Sequence, residues 1–169
     1  MPENQTISIG TRSFTVRQAG LADLDLLAPM FDAYRQFYGR ASDPDAARVF
    51  LRERFNHGES VLFIAVEGAD ALGFTQLYPT FSSLSLARTL VLNDLFVRDE
   101  ARRLGVGKAL IAAAVEYGLA VGAIRLALST AKTNHRAQAL YRQTGWVRDE
   151  EFDAYSLAPS EYSRLPARS

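Results

Sequence analysis

The 169-residue chain contains no cysteine, which excludes disulfides, thiolate metal sites and a cysteine nucleophile. Histidine is scarce: His57 and His135 stand far apart with no ligand cluster around them, so neither is assigned to a metal or a base, and no metal is expected. An excess of charge of one sign is also missing. The 19 Lys+Arg balance 19 Asp+Glu, and without a basic field no nucleic-acid partner is expected. No apolar stretch reaches membrane-spanning length, and residues 1–10 lack a basic start followed by an apolar run. The expectation is a soluble, cytoplasmic protein with no membrane partner. What is present is 48% hydrophobic residues, enough for a buried core, and residues 1–169 read as a single domain.

The richest stretch is 92–110, Leu-Asn-Asp-Leu-Phe-Val-Arg-Asp-Glu-Ala-Arg-Arg-Leu-Gly-Val-Gly-Lys-Ala-Leu. An apolar run short enough for a strand ends at Val97, a charged turn follows, and Gly105, Val106 and Gly107 open a long apolar-periodic segment. Strand, turn and helix start therefore adjoin. Gly105 and Gly107 let the backbone present several N–H groups at the helix N-terminus, where unpaired donors and the helix dipole favour an anion. Arg102, Arg103 and Lys108 add positive charge, so the expected ligand group is a phosphate or pyrophosphate. A Walker A loop does not fit, because Arg102 occupies its first glycine position and Ala109 its hydroxyl position. A dinucleotide fingerprint starting at Gly105 fails too, since it needs a small residue where Leu110 stands.

Around this stretch the periodicities predict a mixed α/β order. Residues 1–10 are polar and expected to fray, and 13–17 alternate as a first strand. Leu24, Leu27, Met30, Phe31, Tyr34, Phe37 and Tyr38 mark one face of a helix, and Asp43-Pro44 caps a second. Residues 61–66 and 72–78 form a hairpin ended by Pro79, and 88–97 add a third strand to the meander. A helix over 108–121 crosses to a strand over 124–129, parallel to its predecessor, which leaves a cleft at their ends. A helix over 137–144 and closing strands at 146–148 and 154–157 complete the order, and the tail from Ala158 is expected to be loose.

Arg102-Arg103-Leu104-Gly105-Val106-Gly107 resembles the Arg/Gln-x-x-Gly-x-Gly/Ala signature of the GNAT N-acetyltransferase superfamily. A second segment, Asn134-His135-Arg136-Ala137-Gln138-Ala139-Leu140-Tyr141-Arg142-Gln143-Thr144-Gly145-Trp146, is similar to the family's Asn-x-x-Ala-x-x-Leu-Tyr-x-x-x-Gly-Phe/Trp. The resemblance spans residues 12–157. It implies the GNAT fold: a mixed central sheet of about seven strands, an antiparallel N-terminal meander, a splayed parallel pair and about four flanking helices. It implies acetyl-coenzyme A as co-substrate, with the loop Arg102, Arg103, Leu104, Gly105, Val106, Gly107 and Lys108 on its pyrophosphate. Asn134 would meet the pantetheine arm and the Tyr141 hydroxyl would lie close to the thioester sulfur. The family often pairs through its last strands, so a homodimer is also implied.

The chemistry required is consistent with those residues. An amine with a pKa near 10.4 is no more than about 0.1% neutral at pH 7, a penalty of roughly 4 kcal/mol unless the site takes a proton away. Backbone N–H groups at Leu95, Phe96 and Val97 are expected to face the developing oxyanion if the neighbouring strand splays. Tyr141 is expected to supply a proton to the departing thiolate. Asp94 is the titratable candidate for cation binding and deprotonation, directly or through water. Its segment resembles Leu-Glu-Asp-Phe-Phe-Val of the spermidine/spermine acetyltransferases, with Asn93 in place of the first acid. Tyr34, Tyr38 and Tyr78 are expected to line the acceptor pocket, although aromatic residues at such spacing also fit a core. The expected activity is acetyl transfer to a small-molecule primary amine. The competing readings are a protein acetyltransferase acting on lysine or an N-terminus, and a non-catalytic coenzyme sensor.

Overall fold

The computed structural model describes residues 5–9 and 12–162. Six strands lie side by side in chain order: β1 (Gln5–Ile9), β2 (Arg12–Gln18), β3 (Val61–Glu67), β4 (Asp70–Ser82), β5 (Ala87–Val97) and β6 (Arg125–Ala127). All neighbours are antiparallel except the last pair, β5 and β6. Helices α1 (Leu24–Phe37) and α2 (Pro44–His57) pack on one face and α3 (Val106–Ala120) on the other. The remaining helices are α4 (His135–Gln143) and the four-residue α5 (Pro159–Tyr162).

Coverage on both faces explains why β3 reads as a continuous apolar run instead of an alternating one. Leu62 and Ile64 go to the α1/α2 side with Leu27, Met30, Leu51 and Phe74. Phe63 and Ala65 go to the α3 side with Leu77, Leu90, Leu110 and Ile111. The predicted cap of α2 is present, with the Asp43 side chain accepting from the Ala46 N–H at 2.9 Å and Pro44 in the first turn.

Several expectations are corrected. Gln5–Ile9 is a strand and not a frayed end: it pairs with β2 from Gln5 opposite Val16 to Ile9 opposite Arg12, and Ile7 packs against the core. Its polar composition hid a period-two pattern with one half-buried anchor. Pro79 does not end β4, which runs on to Ser82. β3 stops pairing at Leu77, so beyond it β4 has a partner on one side only, and a proline is tolerated on such an edge. The strand expected over 124–129 shrinks to Arg125–Ala127, and the closing strands at 146–148 and 154–157 do not form, giving six strands where about seven were expected. With three residues, β6 offers too short an edge to seat them, and Val147 and Tyr155 are both 93% exposed. The tail beyond Tyr162 lies outside the described residues.

Candidate active site

The site exists because β5 is irregular on both edges. Thr89, Leu90 and Val91 pair with Arg125, Leu126 and Ala127, and past Val91 the strand has no partner on that side. On its other side Gln76 opposes Asp94 while Leu77 opposes Leu92, so Asn93 is an extra residue, a β-bulge. The split pair and the bulge open a cleft of about 530 Å³ that reaches from α1 across residues 92–97 to the start of α3 and to α4. Its volume suits a small-molecule site. Leu95, Phe96 and Val97 line it.

One end is an anion site in the making. Gly105 takes φ +75°, a left-handed conformation that favours glycine, and caps α3 with no side chain. The first intrahelical bond runs from Ala109 N–H to Gly105 C=O at 3.0 Å, so the N–H groups of Val106, Gly107 and Lys108 precede the helical ladder. Arg102, Arg103, Gly105, Val106, Gly107 and Lys108 all line this end. Arg102 is partly committed: its Nε donates to the Val97 carbonyl at 3.1 Å and its guanidinium pairs with Asp99, which fastens the loop to the end of β5. Leu104 does not line the cleft and packs on the core. Gly107 serves packing as well as exposure, because a Cβ there would meet Leu140 Cδ2 at 3.2 Å.

Helix α4 contributes the facing wall. Asn134 is its N-cap, with the Ala137 N–H donating to its Oδ1 at 3.1 Å, which leaves the amide NH₂ for a ligand. Tyr141 lines the cleft and packs against Trp146 with ring centroids 6.0 Å apart. Burial, helped by the proximity of Tyr38, raises the Tyr141 hydroxyl above its ordinary range, so it is a neutral proton donor at physiological pH.

The opposite end is aromatic and holds a buried acid. Tyr34 and Tyr38 line it, together with Phe37, which periodicity gave as helix core. Tyr34 and Tyr38 meet edge to face at 5.2 Å, and Tyr34 also abuts Phe96. Asp94 is only 4% exposed and does not itself line the cleft. It accepts hydrogen bonds from the Asn93 amide at 3.1 Å to each oxygen. Burial raises the Asp94 carboxyl against the lowering effect of the Tyr34 hydroxyl and the Asn93 amide, and it raises Tyr34 with help from the Asp94 charge. Tyr78 does not line the cleft, and its hydroxyl is pushed up to about 12 by burial and then by the Asp94 charge. Ser129, Thr130, Arg136 and Gln143 also line the cleft, and no sequence signal singled them out.

The Acetyltransferase (GNAT) family matches residues 27–146, which contain the whole cleft. The chain belongs to the GNAT acetyltransferase family. It is 46% identical to the uncharacterized N-acetyltransferase YhfO of Bacillus subtilis (strain 168) over 142 residues, 84% of this chain and 95% of that protein. It is 32% identical to the D-amino-acid N-acetyltransferase HPA3 of Saccharomyces cerevisiae over 84 residues, 50% of this chain and 52% of that one. The crystal structure of a probable acetyltransferase superposes with TM-score 0.80 and 44% identity, covering 85% of this chain and 96% of the other. Aminoglycoside N-acetyltransferase AAC(6')-Iy in complex with CoA shares the fold at TM-score 0.74 and 22% identity, covering 89% and 99%. This GNAT chain is thus an N-acetyltransferase with a six-stranded version of the expected sheet.

Proposed function

We propose that this protein, acting as a single cytoplasmic catalytic unit, moves an acetyl group from acetyl-coenzyme A to a primary amine of a small molecule, by direct attack while both are bound. The observation that carries the reading is that one cleft joins the uncapped start of α3 to a tyrosine-lined pocket, with Tyr141 on its wall. The residues fit the coenzyme: the N–H groups of Val106, Gly107 and Lys108 with Arg103 would hold its pyrophosphate, and the Asn134 amide its pantetheine arm. Bound there, it supplies an activated acyl group. With the coenzyme bound, unpaired backbone N–H groups at residues 92–97 would serve as donors to the developing oxyanion, and the Tyr141 hydroxyl would be the proton donor to the leaving sulfur. With no cysteine in the chain, an acyl-cysteine intermediate is not available.

A panel of polyamines, amino acids, aminoglycosides and lysine peptides, assayed for free coenzyme A, tests this reading. At least one small primary amine should turn over, and Tyr141→Phe should cut that turnover by roughly 10- to 10⁴-fold with little change in coenzyme affinity. Preference for peptides would move the acceptor to a protein, and coenzyme binding with no turnover for any amine would make the chain a sensor. We further infer a homodimer, because Val147, Phe152 and Tyr155 are exposed and β6 is the last strand of the sheet. A monomer mass by light scattering at high concentration would reject it.

A further inference from the structure

The end of the cleft beside α1 is walled by rings. Tyr34, Phe37 and Tyr38 line it from the end of that helix and Phe96 from β5, with Leu92 and Leu95 beside them. The rings form one edge-to-face series: Phe96 meets Tyr34 with centroids 6.2 Å apart, Tyr34 meets Tyr38 at 5.2 Å, and Tyr38 meets Phe37 at 5.2 Å. Gly39 takes φ +76° and closes α1 directly after them, its N–H donating to the Gln36 carbonyl at 2.8 Å. Phe37 is 57% exposed and Tyr38 51%, and rings left that open on the wall of a cleft are surface for a ligand to cover. Every charged side chain that lines the cleft among the described residues is a cation: Arg102, Arg103 and Lys108 at the start of α3, and Arg136 on α4. The polar groups of the adjoining strands stay inside. Asp94 is 4% exposed, its cross-strand partner Gln76 is fully buried with Oε1 unpartnered among the described residues, and neither lines the cleft.

We propose that the acceptor is a primary amine with a single positive charge and an aromatic ring, and that Phe37 and Tyr38 select it by packing on that ring. This deepens the acetyltransferase reading and rests on it. Aromatic pairs prefer edge-to-face or offset contacts with centroids about 4.5–7 Å apart, and the series from Phe96 to Phe37 already has that geometry, so a guest ring extends it at its open end. One ammonium is satisfied at such a wall: ring faces attract it, and the Tyr34 and Tyr38 hydroxyl oxygens accept from it. A polyamine or an aminoglycoside brings further ammonium groups that meet no carboxylate on the lining, so each would be stripped of water against rings without an ion pair in return. An amino acid brings a carboxylate, but the cations that would hold it stand at the α3 and α4 end, where the proposed coenzyme site uses them. A short alkylamine has the right charge and leaves Phe37 and Tyr38 wet. Charge and shape together therefore choose the ring-bearing monoamine.

The test compares 2-phenylethylamine with propylamine, phenylalanine, spermidine and an aminoglycoside by release of coenzyme A. In wild type kcat/KM should be about 10-fold or more higher for 2-phenylethylamine than for each of the others, because it alone fills the ring site without an unpaired charge. Phe37→Ala should shrink the lead over propylamine by about 3- to 10-fold, chiefly through KM, while Phe37→Tyr keeps the ring and should preserve that lead. The exposure of Phe37 makes both variants safe for folding. A higher kcat/KM for spermidine, the aminoglycoside or phenylalanine, an unchanged lead in Phe37→Ala, or equal losses in the two variants overturns the proposal while leaving acetyl transfer intact. No release with any amine removes the acetyltransferase reading, and the ring site is then decided by binding. NMR titration of the coenzyme A-loaded protein should find 2-phenylethylamine tighter than propylamine in wild type and not in Phe37→Ala, whereas equal affinities in wild type overturn the ring site as well.

Discussion

Asp32 and Asp94 expose the same small area, 4% each, but Asp32 lies just beneath the surface and Asp94 deep in the protein, and their carboxyls are driven in opposite directions. Asp32 accepts from the Asp43 N–H at 2.8 Å, Ser42 Oγ at 2.7 Å, Gln36 Nε2 at 2.9 Å and Arg35 at 3.2 Å. The Asp43 N–H and Ser42 hydroxyl, with smaller help from Gln36 and Arg35, outweigh burial and hold it below the usual carboxylate range. At Asp94 burial wins over the lowering effects of Tyr34 and Asn93. The two acids differ in depth and in donors. Asp32 pins the loop between α1 and α2 by accepting the Asp43 N–H and pairs with Arg35, whereas Asp94 sits deep beside a bulge with no ion pair among the described residues. A carboxylate is held ionised by donors near the surface and pushed toward the neutral acid by depth with few donors.

The comparison is bounded first at the donor end, where the largest effect is expected. Gly107→Leu drives a side chain into Leu140 and should abolish coenzyme binding by calorimetry in a folded protein, while Asp94→Asn should leave that binding intact. Next, Asp94→Asn should lower kcat/KM for the amine by about 10²- to 10⁴-fold, and wild-type kinetics in that variant would make Asp94 structural. Asp32→Asn should do the reverse: about 1–3 kcal/mol of unfolding free energy lost at neutral pH, with activity per folded molecule kept.

The smallest and most discriminating effect is in stability against pH. The Asp32 pKa is lowered by folding, so its contribution is present above the unfolded value near 3.9 and is lost as pH falls through the folded pKa. The gap between Asp32→Asn and wild type should therefore close in acid. The Asp94 pKa is raised, so its contribution is present below that unfolded value and is lost as pH rises through the folded pKa. Asp94→Asn should thus be no less stable than wild type at pH 7, and denaturant midpoints across pH would show either sign.

The end of the cleft at the start of α3 was largely legible from residues 102–108 and 134–146, because glycine pairs, a polar cap and a tyrosine at fixed offsets are local features. Leu104 was the exception, since only packing shows that it turns to the core. The end beside α1 was less legible. Asn93 becomes a bulge, Gln76 an orphaned carbonyl and Asp32 a loop anchor through partners 10 or more residues away, and no periodicity encodes those pairings. Residues 146–157 misled for a related reason: strand-like composition makes a strand only where an edge is long enough to receive it.

The most direct test of the contrast is a ¹³C NMR titration of the aspartate carboxyls in the ligand-free protein. Asp94 should titrate above the ordinary range for aspartate and Asp32 below it. Both carboxyls titrating on the same side, or Asp94 staying ionised to low pH like Asp32, would contradict the account.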